Sequence, residues 1–362
     1  MTVNFSQQYK LAFARKICSL RRAIKRINLR HRIRRIDNRP VMVNNKEEIR
    51  AFIVARNESL RLPFLLQYYS TLGVDRIFVL DNGSSDDTVS IALSYENTHV
   101  FSTDDHFANK SYWLDYLLRC YGYGNWCLIV DADEIFIYPY YERLTLRELC
   151  DFHDQTSTDA VGSVLLDMFP NRALGHVKYQ RGDNPLLIAP WFDTDLSEGP
   201  SGPYYKSDHV MVHDGPGPLT GGMRKRVFGV EPCLSKFPLV KFKKSIFLST
   251  GTHYIEGANV SDIRGISLHF KYLHDFPENA RREAQRGEYY NNSIEYVRYA
   301  STLDLNPDLT FHTAASRKLE GSDQLLVLGL MRTSDSWTRL ARSQKNSTCA
   351  FGPSPEPVRD TG

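Results

Sequence analysis

Three carboxylates stand within four positions at Asp131-Ala132-Asp133-Glu134, directly after the apolar run Leu128-Ile129-Val130. Carboxylate oxygens are hard ligands suited to Mg2+ or Mn2+. Massed at the end of a buried strand they repel one another, and a bound cation removes that cost. An Asp-x-Asp by itself is common, and a solvated acidic turn is the bland alternative. A second polar cluster runs Asp81-Asn82-Gly83-Ser84-Ser85-Asp86-Asp87-Thr88 after Val79-Leu80. Asp81 and Asn82 are of the right types to hydrogen-bond a base or a ribose. Gly83 permits a tight turn, and Ser84 to Thr88 read as that turn plus a helix cap.

Both clusters need strands to position them. Residues 49–55 read as a buried strand, 58–71 as a helix with Pro63 near its start, and 76–80 as a second strand. A short helix over 88–95 and a strand over 99–102 follow. Ser111 suits the N-cap of a helix to Tyr121, and 126–130 is a fourth strand. Such alternation argues for an α/β fold, a mostly parallel sheet with helices on both faces. Ligands in these folds bind beyond the C-terminal strand ends, where both clusters lie. Residues 155–270 are rich in Gly, Pro and aromatics and read as mixed strands and loops shaping an acceptor site, and residues 277–300 read as helical.

At 42% hydrophobic, the 362-residue chain buries a sizeable core. Its net charge of +3 hides an asymmetry: residues 1–40 hold 12 Lys/Arg against Asp37 alone, a local +11, so the remainder carries −8. Within this arm Tyr9, Phe13, Ile17, Leu20, Ile24 and Ile27 recur at helical spacing, with basic residues on the other faces. That pattern suits a helix on an anionic membrane surface, or one packed on its own domain. Nucleic acid is the weakest partner, since the body is acidic and carries no recognition motif. The six cysteines form no CxxC pair and read as reduced core residues. No apolar run reaches the ~18 residues a membrane span needs. A cytoplasmic location follows as the expectation, with peripheral contact to the inner membrane surface.

Three segments in order carry a family resemblance: Phe52-Ile53-Val54-Ala55-Arg56-Asn57-Glu58, Leu80 to Thr88, and Val130 to Glu134. They resemble the successive nucleotide-sugar motifs of family 2 glycosyltransferases, and are most similar to the bacterial branch that is itself similar to family 92. Trp126 to Glu134 and Leu268-His269-Phe270-Lys271 fit that branch, and the resemblance covers about residues 49–300. Asn82 departs from it, standing where many members have a second Asp. The resemblance implies a GT-A fold, a Rossmann-like mixed sheet binding nucleotide sugar, with Mn2+ or Mg2+ and a donor that is usually a UDP-sugar. It implies that Ala55, Arg56, Asn57 and Glu58, with Asp81 and Asn82, hold the nucleoside. Asp131 would face the ribose and the metal shell, and Asp133 would bind the metal. Many GT-A enzymes use a C-terminal His as a further ligand, for which His269 is the candidate ahead of His253.

Inversion at the sugar carbon, also implied, needs a carboxylate to deprotonate the acceptor hydroxyl. Asp167, Asp193, Asp195 and Asp214 qualify by type; Asp193 and Asp195 stand out because Trp191-Phe192 offers a sugar-stacking surface beside them. Gly221-Gly222-Met223-Arg224-Lys225-Arg226 places backbone and cations where a diphosphate could lie, or is an exposed basic turn. His209 and His213 read as one strand face, not a zinc site. The expected organisation is a basic arm over 1–40, a nucleotide-sugar half over 41–160, an acceptor half over 161–300, an extension over 301–342 and a disordered tail over 343–362. The expected function is metal-dependent glycosyl transfer from a nucleotide-sugar donor to a glycan or lipid-linked acceptor. The alternative is a GT-A-like module that binds nucleotide sugar without turnover. A sugar nucleotidyltransferase would need a glycine-rich loop near the first strand, and none is there.

Overall fold

The computed structural model describes residues 20, 22–41, 44–199, 205–206, 209–210, 218–249 and 251–344. Nine strands build one sheet: β1 (Arg34–Arg35), β2 (Ile49–Ala55), β3 (Arg76–Asp81), β4 (Thr98–Ser102), β5 (Trp126–Asp131), β6 (Glu134–Ile137), β7 (Ala160–Asp167), β8 (Ser235–Lys241) and β9 (Val260–His269). Their order is β1-β4-β3-β2-β5-β8-β7-β9-β6. The run β4-β3-β2-β5 is parallel, as the strand–helix alternation requires. β8 runs antiparallel to both β5 and β7, which makes the sheet mixed. Strands of both expected halves, before and after residue 160, share this sheet.

Every residue of β2 is buried. Ile49, Ala51, Ile53 and Ala55 join a core with the helix Leu62–Thr71, while Phe52 and Val54 join another with the helix Lys110–Tyr121. A strand with both faces covered reads as a continuous apolar run, as this one does. The expected mixed α/β class with helices on both faces is what the chain forms.

Two helix starts differ from expectation by two residues or more. The first helix starts at Leu62, not at Glu58. Residues 57–59 instead give their N–H groups to the second polar cluster: Asn57 to Ser84 Oγ at 2.9 Å, Glu58 to Thr88 Oγ1 at 2.8 Å and Ser59 to an Asp86 oxygen at 3.1 Å. Asn57 itself sits at φ 54°, a left-handed conformation that Asn tolerates better than most residues. The later helix starts at Lys110 after Asn109, so Ser111 is inside it.

The C-terminal extension is part of the main core. Trp337, in the helix Asp335–Ser343, is fully buried and donates from its indole N–H to the Pro139 carbonyl at 3.0 Å. Residues 345–362, and with them nearly all of the expected tail, lie outside the described residues, as do Tyr9, Phe13, Ile17, His213 and Asp214. Cys120, Cys127, Cys150 and Cys233 are free thiols. Among the described residues no helix is long and apolar enough to cross a membrane. Residues 22–29 form a helix that packs on the body through Arg22, Arg26 and Leu29, not through the apolar stripe.

β6 follows β5 after only two residues, yet it pairs with β9 at the far end of the strand order. The crossing is tight at Gly265 of β9. A Cβ there would stand 2.5 Å from the Ile137 carbonyl oxygen and 2.6 Å from the Phe136 ring. Gly265→Ala is therefore expected to destabilise the protein by about 2–3 kcal/mol, since rigid backbone cannot give way. Urea unfolding measures this, and an unchanged midpoint would show that β6 does not approach so closely.

Candidate active site

Strand register assembles the site at the C-terminal edge of the sheet. His269 ends β9, paired in register with Glu134 of β6 on one side and Asp167 of β7 on the other. The Asp133 carbonyl accepts from Phe270 N–H at 2.8 Å, which locks the acidic turn against the end of β9. As a result His269 Nε2 lies 3.2 Å from an Asp133 oxygen and its Nδ1 lies 2.7 Å from an Asp167 oxygen. Arg224 Nε donates to the second Asp167 oxygen at 2.7 Å. Burial works against a charged His269, but Asp133 and Asp167 outweigh it and raise its pKa. Burial likewise opposes ionisation of Asp133, and His269, Lys271 and Arg61 more than offset it, so its pKa falls.

One ligand atom each from Asp133, Glu134 and His269 lie within 4.8 Å of one another, a group with the composition to hold a metal ion. The donor set suits a divalent ion: carboxylate oxygen and imidazole Nε2, with Nδ1 oriented by a second carboxylate. Asp131 is held by two cations. One of its oxygens is ion-paired with Lys110 and the other lies 3.2 Å from Lys236 Nζ, which also pairs with Glu134. Two ammonium groups thus neutralise Asp131, and Asp133 is the motif carboxylate left facing His269. Burial opposes the charge on Lys236, but Asp131 and Glu134 hold it charged well above the ordinary lysine range.

Ala55, Arg56, Asn57, Glu58, Asp131, Asp133 and His269 line a common cavity of about 140 Å³, together with Arg61, Lys110 and Lys271. Its cations suit a diphosphate. Glu58 Oε2 makes no hydrogen bond and lies 3.5 Å from Arg61 Nη1. Burial pushes the Glu58 carboxyl up to about 8, against the pull of Arg61. A larger cavity, about 940 Å³, lies elsewhere against Trp191, Arg143, Arg317 and Lys318. It holds Glu142, Glu320 and Asp323 but no histidine and none of residues 55–58 or 131–134, so the smaller cavity is the candidate site.

Asp81 and Asn82 do not line that cavity. Asp81 accepts from the N–H groups of Gly83 and Ser84 and so holds its own turn. Asn82 donates to the Asp105 carbonyl at 3.0 Å and accepts from Arg286 at 2.9 Å. Both support the wall: Arg56 donates to the Asn82 carbonyl at 2.8 Å, and Asn57 Oδ1 accepts from Ser85 N–H at 2.8 Å. Asp193 is likewise engaged, with Arg226 at 2.7 Å and Ser316 Oγ at 2.9 Å. Neither it nor the exposed Asp195 lines the cavity. His253 is also apart from it, its Nδ1 2.9 Å from the Ser235 carbonyl.

Sequence reasoning did not single out Lys110 or Lys236. Lys236 carried a signal, a lysine near the head of an apolar strand. Lys110 carried none. Arg224 was legible only as part of a basic turn.

No family model matches the chain, and no curated protein matches it. Among solved structures it is similar to glucosyl-3-phosphoglycerate synthase from Mycobacterium tuberculosis in complex with phosphoglyceric acid, at 23% identity over 27% of this chain and 40% of that one, TM-score 0.20. A mycobacterial protein is similar at 23% identity over 36% and 46%, TM-score 0.22. A mannosyltransferase from Pyrobaculum calidifontis in complex with GDP-Man and Mn2+ is similar at 12% identity over 92% and 90%, TM-score 0.32. The chain spans less than half the length of the first two. Likenesses this loose carry no function across.

Removing Lys236 leaves the buried Glu134 without its cation and Asp131 with Lys110 alone, so Lys236→Met is expected to cost about 3 kcal/mol. Adding Glu134→Gln should recover at least about 1 kcal/mol relative to the sum of the single losses. Chemical unfolding of the four proteins reads this coupling, and strict additivity would show that the pair does not form.

Burial, helped by Lys236, pushes the His253 imidazole down to about 3. The unfolded chain takes up a proton near pH 6.5 while the folded one does not, so stability present above that pH is lost as pH falls towards the folded value. His253→Gln should therefore lose about 1–2 kcal/mol less than the parent between pH 7 and pH 4.5. Equal losses in the two proteins would show that His253 titrates normally.

Proposed function

We propose that the chain is a metal-dependent GT-A glycosyltransferase of the family 2-like kind, taking a sugar from a nucleotide diphosphate donor, a UDP-sugar first among them, to a glycan or lipid-linked hydroxyl. The observation that carries this reading is the meeting of three distant segments in one cavity: the first-motif residues 55–58, the acidic turn 131–134, and His269 from the last strand. An acidic turn alone would be solvated; this one faces an imidazole held in place from behind.

In this reading Asp133 and His269 hold a divalent ion, with Glu134 close by. That ion supplies Lewis-acid stabilisation of the charge on the leaving diphosphate. Lys271, Arg61 and Lys110 supply fixed positive charge around the same oxygens. Ala55 to Glu58 form the nucleoside wall, and the Glu58 carboxyl, 3.5 Å from the Arg61 guanidinium, faces the same cavity. Asp81 and Asn82 serve by holding that wall. Inversion requires a carboxylate base for the acceptor. Of the two residues marked for it, Asp193 is held by Arg226, and Asp195 is the one no cation holds among the described residues.

One observation favours a second reading. The two lysines on Asp131 already do part of a cation's work, as they would in a cleft that binds nucleotide sugar without turning it over.

The test is nucleotide release from a panel of nucleotide sugars with Mn2+, Mg2+ or EDTA. Release should depend on the ion, and Asp133→Ala should lower it on the order of a thousandfold while circular dichroism stays unchanged. Undiminished release in Asp133→Ala or in EDTA would refute the metal mechanism. Nucleotide binding by calorimetry without release for any donor would establish the second reading instead.

A further inference from the structure

The arm helix over residues 22–29 is attached to the body by the face opposite its apolar stripe. Arg22 makes a bidentate pair with Glu256 at 2.9 and 3.1 Å and lies over the Phe247 ring at 3.7 Å. Arg26 pairs with Asp115 at 2.8 Å, and Leu29 and Ile33 are buried. Positions 22, 26 and 29 share one helical face, and at 100° per residue positions 20, 24 and 27 fall roughly opposite. Leu20, Ile24 and Ile27 are accordingly 63%, 52% and 64% exposed. The usual arrangement for a helix packed on its own domain is the reverse, apolar side in and charge out.

From this we infer that the docked arm presents Leu20, Ile24 and Ile27 to an anionic lipid surface, with the basic residues around them reaching the headgroups. Scattered exposed aliphatics need no explanation, but three on one stripe of one helix mark an interaction face. The charge around them chooses the occupant. Arg30, His31 and Arg34 are exposed, as are Lys25, over the Tyr112 ring, and Arg32, paired with Asp105 at 3.4 Å, and residues 22–36 contain no acid at all. Apolar stripe plus one-signed basic flank is the complement of an anionic bilayer, where the aliphatics enter the acyl boundary and the cations meet phosphate. Nucleic acid would use the cations and leave the aliphatics in water. A second copy of the chain would bring the same positive charge against itself. The arm is held to the helix that begins with Lys110 at the candidate site, so the surface it meets lies on the side of the molecule where that helix packs.

The experiment uses the full chain without donor, so it stands or falls apart from the transferase reading. Co-sedimentation is measured with vesicles of phosphatidylcholine alone and of phosphatidylcholine mixed with phosphatidylglycerol, at low and high salt. The chain is expected to bind the anionic vesicles preferentially and to be released by salt. Ile24→Glu/Ile27→Glu is expected to lower partitioning at least about tenfold with no change in melting temperature, because both side chains are already in water. Arg30→Glu/Arg34→Glu should abolish the preference for anionic vesicles. Three results would overturn the inference: unchanged partitioning of the isoleucine variant, a clear drop in its melting temperature, which would mean that the chain itself covers the stripe, or a parent that ignores vesicles but is a dimer dissolved by the same variant.

Discussion

Four carboxylates, Asp131, Asp133, Glu134 and Asp167, meet at one edge of the central sheet, and their repulsion has to be met before that edge can fold. The protein meets it with Lys110, Lys236, Arg224 and His269, each placed between or beside the acids. The cost of burying these charges is offset only because the pairs are close and oriented, so the site is rigid by necessity. That rigidity is also what a reacting diphosphate would need, since charge stabilisation works best where nothing reorganises.

The pairs exist because of register. Asp167, His269 and Glu134 stand side by side only through the β7-β9-β6 alignment, and Gly265 lets β6 come close enough for it. A one-residue slip would turn every side chain to the opposite face. The fold therefore commits its strand alignment and its charge pattern together.

A second layer of support comes from the two loops before the acidic turn. Residues 56–59 and 82–88 exchange hydrogen bonds in both directions, so neither loop holds its shape without the other. Arg61 then ties the first loop to the segment that follows β9, through a bidentate pair with Asp275 at 2.7 and 2.8 Å and a bond to the Phe270 carbonyl. Residues that resemble ligand contacts in sequence, Asp81 and Asn82, are spent on this framework.

Local pattern alone determined the strands of the parallel run, because continuous apolar segments bounded by turn residues admit few other structures. Residue types at a strand end marked the acidic turn, and the family resemblance implied that residues 55–58 and His269 belong with it. Tertiary structure decided what pairs with what. That Asp131 is neutralised by Lys110 and Lys236 depends on a helix and a distant strand converging, which no spacing reveals. That Asp193 is held by Arg226, and that Arg22 and Arg26 turn the arm's apolar stripe outward, depend on where partner charges stand in space. Periodicity tells which side chains share a face; only the assembled charges of the body decide which face is held inward.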